Sequence, residues 1–189
     1  MRIRVAGRED CQSLGEVIVS AMRSAFEGRV PEQCLLELPV SKSVANWRRA
    51  FDSGAFDSNA QVLLVAEASS GEVVAFVLAG GRTAGIVGDS IIAMNYPREI
   101  VSLHVAPGWQ NRGVGRSLVG AAADWLIAQQ EETLAVRVLE PNPNRAFYTR
   151  LGAIELGSQP YDWAGFATRE LIYGWRDIGL VRSGGARTR

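Results

Sequence analysis

The feature that most limits what this chain can become is the stretch from Glu99 to Ser117. Ile100 to Val105 is an apolar, β-branched run suited to a buried strand, Pro107-Gly108 breaks it, and an alanine-rich helical pattern opens after Gln110. A strand, a turn and a helix N-terminus follow one another directly. The first turn of any helix carries N–H groups without an intrahelical acceptor, and the aligned peptide dipoles put partial positive charge there. In Gln110-Asn111-Arg112-Gly113-Val114-Gly115 both glycines lack a Cβ, so an oxyanion can rest directly on the main chain. A phosphate or pyrophosphate is the natural guest.

Three phosphate-binding designs compete for this spacing. The dinucleotide fingerprint needs Gly-x-Gly-x-x-Gly, but Leu118 stands at its third glycine position and the strand does not begin a βαβ unit. The nucleotide-triphosphate loop needs a Gly-Lys-Ser/Thr ending, which is absent. What remains is Gln-x-x-Gly-x-Gly after a strand and a Pro-containing turn.

The rest of the chain supplies a frame for that loop. Ile3 and Val5 alternate with Arg2 and Arg4 as a short strand with one wet face. Leu14, Ile18, Ala21, Met22 and Ala25 recur at helical steps, so a helix runs from Glu9 to Phe26 and stops before Gly28 and Pro31. Arg29 to Pro39 reads as a loop with at most one helical turn, and Val44 to Phe51 as a helix with Ser43 as its N-cap. Gln61 to Ala68 and Glu72 to Leu78 form a hairpin around Ser69-Ser70-Gly71. Gly80 to Pro97 fits no clear period and reads as a mobile rim loop. Val114, Leu118, Ala121, Ala122, Trp125 and Leu126 make the apolar stripe of the helix after the glycines. Thr133 to Leu139 is then a strand and Asn144 to Leu151 a short helix stopped by Gly152. Ala153 to Leu156 and Arg169 to Tyr173 are closing strands with a turn and loop between them. The order β α α β β β α β α β β predicts an α/β fold, a mixed sheet with helices on both faces.

Composition narrows the partners. With 189 residues, 47% of them apolar, the chain can bury one core. Twenty basic against 20 acidic residues leave no net charge to favour nucleic acid or an anionic membrane. Cys11 and Cys34 stand outside any Cys-x-x-Cys or Cys/His cluster, which predicts a reducing compartment and no metal. The charged N-terminus cannot form a signal-peptide core, and no apolar run approaches the ~20 residues of a membrane span. A cytoplasmic protein acting on a small molecule or peptide is expected.

A second motif lies about 30 residues after the first, Asn142-Pro143-Asn144-Arg145-Ala146-Phe147-Tyr148 followed by Leu151-Gly152. Together the two motifs resemble the coenzyme loop and the Asn…Phe-Tyr…Leu-Gly signature of the GNAT N-acetyltransferases. The N-terminal helix pair and the ending Tyr173-Gly174-Trp175-Arg176-Asp177 are similar to a bacterial branch of that family. The likeness spans all but the 81–97 segment and the tail, giving a domain over 1–178 and a disordered 179–189. The chain departs from the family where Ala153 stands in place of a frequent aromatic residue, and the equivalent asparagine is assigned to Asn142 with Asn144 as the alternative.

The resemblance implies acetyl-coenzyme A as acyl donor and an amine as acceptor. Gln110, Asn111, Arg112, Gly113, Val114, Gly115, Arg116 and Ser117 would hold the pyrophosphate. The main chain of Leu103, His104 and Val105 would pair with the pantetheine arm, the Val105 amide would polarise the thioester carbonyl, and Asn142 and Phe147 complete the coenzyme site. No metal is called for. A homodimer fits the family, and no residue decides it.

Chemistry supplies the remaining roles. Tyr148, with a phenol that titrates near pH ~10, is a candidate general acid for the departing thiolate, or else an aromatic packed beside Phe147. Glu99 shares a strand side with Val101, Leu103 and Val105 by alternation, so it is either a base that takes the amine proton through water or a solvated charge beside Arg98. His104, the only histidine, falls with Ile100 and Ser102 on the opposite side and reads as a hydrogen-bonded core or helix-facing group before a base. Phe26, the loop to Pro39, Trp47, Ile91 to Met94 and Tyr161 to Trp163 are placed to frame the acceptor. Direct transfer is expected, because neither cysteine has a histidine partner in sequence. The rival reading is an acyl-coenzyme A sensor or partner subunit that keeps the fold without turnover, and a longer acyl donor remains open.

Overall fold

Seven strands pair in the order β1-β2-β3-β4-β5-β7-β6 in the computed structural model, which describes residues 1–81 and 90–181. The strands are β1 (Arg2–Val5), β2 (Gln61–Glu67), β3 (Val73–Gly80), β4 (Glu99–Val105), β5 (Leu134–Leu139), β6 (Ile154–Trp163) and β7 (Phe166–Trp175). Every neighbouring pair is antiparallel except β4 and β5. The helices are α1 (Cys11–Phe26), α2 (Glu32–Leu36), α3 (Val40–Asp52), α4 (Ser90–Asn95), α5 (Val114–Ile127) and α6 (Ala146–Arg150).

Period-2 alternation in the strands divides the apolar side chains between two faces. Val62, Leu64, Val77, Val136 and Val138 turn to one face, where Val114, Leu118, Ala122 and Leu126 of α5 and Tyr148 of α6 cover them. Leu63, Val65 and Phe76 turn to the other, under Leu14 and Val17 of α1 and Trp47 of α3. Farther along that second face Ile92 and Tyr96 pack on Ala135 and Ile172. The mixed sheet with helices on both faces is as the sequence predicts.

Several local expectations change. α3 begins at Val40 after Pro39, so Ser43 lies within the helix rather than capping it. Ser90–Asn95, inside the expected rim loop, is helical, while residues 82–89 of that loop lie outside the described residues. The expected loop between the closing strands is instead strand: β6 and β7 are 10 residues each, paired from Ile154↔Gly174 to Trp163↔Phe166. Gly157, Ser158 and Pro160 gave that arm a loop-like composition, but pairing to β7 dominates. Gly179–Val181, assigned to the tail, belong to a 3-10 turn whose Ile178 and Val181 are buried against the α5 side of the core; residues 182–189 lie outside the described residues.

The change that matters most for the site is a β-bulge. Ser102 pairs with Leu78 and Ile100 with Ala79, which leaves Val101 as an extra residue in β4, 46% exposed. Ile100 and Leu103 therefore share the α5 face, three positions apart. Glu99, across from Gly80, lies with Ser102 and His104 on the opposite face. Strict alternation had put Glu99 beside Leu103 and Val105 and away from His104; the bulge reverses both.

Candidate active site

The site starts from a gap in the sheet. β4 and β5 hold the pairs Glu99↔Ala135 and Ile100↔Val136, then diverge, although β4 continues to Val105 and β5 to Leu139. On its other side β4 stays paired with β3 through Val105↔Ala75, and the Ala106 N–H donates to Val74 O at 2.9 Å. Alternation turns the main-chain groups of Leu103 and Val105 toward the gap. Val105 O accepts from Gln110 Nε2 at 3.1 Å, which ties the loop to this strand end. An extended chain bearing amides fits that edge as an added strand.

Beside the gap stands the N-terminus of α5. Asn111 (φ 60°) and Gly113 (φ 81°) are left-handed, the kind of turn that can aim successive N–H groups at an anion. Val114, Gly115 and Arg116 then open α5 with no side-chain cap hydrogen bond among the described residues. A Cβ on Gly113 would meet nothing within 4 Å, so backbone conformation calls for glycine there. At Gly115 a Cβ would stand in ordinary contact, 3.4 Å from Phe147 Cζ and 3.6 Å from Val105 Cγ2, so the helix start packs closely on both residues. Ser117 is partly committed elsewhere: its N–H and Oγ both donate to Gly113 O, at 3.0 and 3.2 Å.

A cleft of ≈ 1200 Å³ joins these parts. Leu103, His104, Val105, Gln110, Asn111, Gly113, Val114, Gly115, Arg116, Ser117, Asn142, Phe147 and Tyr148 all line it. Arg112 does not; its guanidinium lies 5.3 Å over the Trp109 ring centroid, a cation–π contact. Arg116 and Arg150 carry the positive charge at the cleft. Asn142 and Asn144 both line it, and Asn142 Oδ1 accepts from the Asn144 N–H at 2.9 Å to shape the turn into α6. The two asparagines are thus halves of one turn.

Tyr148 is 9% exposed, stacked on Tyr173 at 6.2 Å and edge-on to Phe147 at 5.1 Å. Burial pushes its phenol well above the usual value, so it stays protonated across the physiological range. His104 is tilted against Phe76 at 5.4 Å, and burial pushes it down to about 4, which keeps the imidazole neutral.

Glu99 lies outside the cleft and is not a solvated charge. It is 5% exposed and meets Arg137 through Nε–Oε2 at 3.2 Å and Nη2–Oε1 at 3.3 Å. Arg137 Nη1 also reaches Glu170 Oε2 at 3.3 Å, and Gln159 Nε2 donates to that oxygen at 2.8 Å. Of the residues expected to frame an acceptor, Phe26 lines the cleft; its ring is edge-on to Trp163 at 5.2 Å. Trp47 packs on Phe76 instead, at 5.4 Å, and Met94 and Tyr161 are exposed. The Ile91 side chain lies outside the described residues.

Sequence reasoning missed Ala21, Met22 and Ala25, which line the cleft from α1, and Leu180 and Val181, which line it from the final turn. The α1 stripe carried the signal, because two alanines one helical turn apart beside Met22 let a helix approach a cavity closely. The helical period of these residues is silent on what the stripe faces.

The chain is similar to known proteins in sequence and fold. Residues 30–153 match the family model described as the acetyltransferase (GNAT) family. An uncharacterized N-acetyltransferase, YuaI of Bacillus subtilis strain 168, is 23% identical over 181 residues, 96% of each chain. Among solved structures, a ribosomal-protein-alanine N-acetyltransferase from Brucella melitensis superposes with TM-score 0.68 at 19% identity, covering 93% of this chain and 99% of that one. The PaiA N-acetyltransferase of Thermoplasma acidophilum, in complex with coenzyme A, gives TM-score 0.64 at 17% identity, covering 90% and 96%. At these identities the structural likeness speaks for the fold.

Proposed function

The chain belongs to the acetyltransferase (GNAT) family, and from that premise we propose that it moves acetyl from acetyl-coenzyme A directly to a primary amine in a ternary complex. The observation that carries this reading is the uncapped N-terminus of α5 set beside the open edge of β4, with Tyr148 in the same cleft. The donor set fits an acylated coenzyme: bare N–H groups and Arg116 for a diphosphate, an unpaired strand edge for a pantetheine arm. When bound, acetyl-coenzyme A supplies an activated carbonyl.

The chain's own residues do the rest. Val114, Gly115 and Arg116 hold and neutralise the diphosphate through their N–H groups, with Asn111, Gly113 and Gln110 shaping the loop. Leu103 and Val105 align the arm, and the Val105 N–H faces the place where charge develops on the attacked oxygen. Tyr148 gives its proton to the departing sulfur. Phe147 supports Gly115 from beneath, and Asn142 with Asn144 sets the entry to α6. Glu99 holds Arg137 in place rather than reaching the amine. Cys11 and Cys34 are buried and line no part of the cleft, which favours direct transfer over a covalent acyl-cysteine.

Thiol release by the purified chain with acetyl-coenzyme A and a panel of primary amines tests the reading. Release that depends on both substrates and falls on Tyr148→Phe is expected. Calorimetric coenzyme binding with no turnover on any amine would instead support the sensor.

A further inference from the structure

The two faces of the cleft differ in kind. Polar main chain and Arg116 line the α5 side, whereas Ala21, Met22, Ala25 and Phe26 line the opposite side, where β4 contributes His104. Phe26 lies edge-on to Trp163 and His104 lies against Phe76. No aspartate or glutamate lines the cleft among the described residues. Of the carboxylates on that face of the sheet, Glu99 and Glu170 share the Arg137 guanidinium and Glu67 is paired with Arg4.

Resting on the amine-transfer reading above, we infer that the α1 side of the cleft is the acceptor subsite, that it takes a primary amine carried on an uncharged apolar body, and that His104 receives the amine proton. An ammonium group entering a cleft whose described lining holds no carboxylate loses hydration with nothing in return. A second ammonium, as on a diamine, meets the same cost with no carboxylate among the described lining residues to relieve it. An apolar body, by contrast, replaces water on Met22, Ala25 and Phe26. The amine therefore reacts as the free base.

The step closes in atoms and electrons. The nitrogen lone pair forms a bond to the thioester carbonyl carbon, the carbon–sulfur bond breaks, and sulfur leaves with that electron pair and takes the Tyr148 hydroxyl proton. The proton that nitrogen must shed passes to the unprotonated ring nitrogen of His104. The ammonium of the adduct is a far stronger acid than a free alkylammonium, so a weakly basic imidazole suffices. Water then returns a proton to Tyr148 and removes one from His104, leaving amide, thiol and the starting chain. The titratable groups lining the cleft with His104 are Tyr148, Arg116 and Arg150.

Phenethylamine and 1,4-diaminobutane are the probes, assayed by thiol release with acetyl-coenzyme A. The expected kcat/KM is at least about tenfold higher for phenethylamine, the scale of discrimination an apolar pocket gives. Met22→Glu should shrink or reverse that ratio by about fivefold or more, with calorimetric acetyl-coenzyme A binding kept as the check that the variant is folded. Ala25→Asp repeats the test from a second position, and His104→Gln should lower kcat for phenethylamine with its KM little changed. A wild-type preference for the diamine, or a ratio that neither carboxylate variant moves, overturns the subsite alone. Bound acetyl-coenzyme A with no turnover on either amine overturns the transfer reading and this subsite with it.

Discussion

Glu99 and Arg137 are joined by two hydrogen bonds across the start of the β4–β5 gap, Nε to Oε2 at 3.2 Å and Nη2 to Oε1 at 3.3 Å. Removing the guanidinium strands a carboxylate that is 5% exposed. Arg137→Met is expected to lower stability by about 2 kcal/mol in urea unfolding. Adding Glu99→Gln should recover part of that loss, and a double mutant no better than the sum of its singles would show that the pair is not coupled.

Tyr148→Phe keeps the ring that packs on Tyr173 and Trp175 and removes the proton donor. A fall in kcat of about 100-fold is expected, in the range for a lost general acid. Acetyl-coenzyme A affinity by calorimetry should stay within about twofold, since the hydroxyl is asked to act only as the thiolate departs.

Gly113→Val tests the cradle. Its φ of 81° disfavours any side chain, at a cost of about 1–2 kcal/mol in stability. A shift of the loop out of that conformation misaligns the first N–H groups of α5. Donor affinity should fall by tenfold or more, about 1.4 kcal/mol. Unchanged affinity would remove the main support for phosphate binding at this helix.

The His104 shift predicts a pH effect on folding. Burial lowers the folded ring to about 4, while the unfolded chain titrates near ~6.5. Between those values unfolding takes up a proton, so stability is highest above ~6.5 and declines as pH falls toward about 4, by at most about 3 kcal/mol. His104→Gln should flatten that decline in urea midpoints measured across the interval. An unchanged slope would locate the acid sensitivity elsewhere.

What was legible in the sequence was local. Gln110 to Gly115 announce a helix N-terminus because every requirement, two missing Cβ atoms and a Pro-broken strand before them, lies within a few residues. Phe147 and Tyr148 were readable for the same reason, and the structure lines the cleft with both. Glu99 was misplaced because its facing depends on Val101 finding no partner in β3, a property of register between two strands rather than of either one. Arg137, the partner that claims Glu99, lies 38 positions away in sequence. The β6–β7 arms escaped for a related reason: Gly157, Ser158 and Pro160 look like turn residues until β7 pairs with them. Ala21, Met22 and Ala25 were seen as an apolar stripe, but a stripe facing a core and a stripe facing a cavity have the same period.

The pairing of β4 to β5 through Glu99↔Ala135 and Ile100↔Val136 has a mechanical consequence. Within the sheet it joins the part carrying β1 to β4 to the part carrying β5 to β7 by two rungs, while the core under α5 spans both parts. A donor whose arm lies in the gap beyond those rungs would be a stitch as well as a substrate, so its loading should slow amide exchange in both β4 and β5.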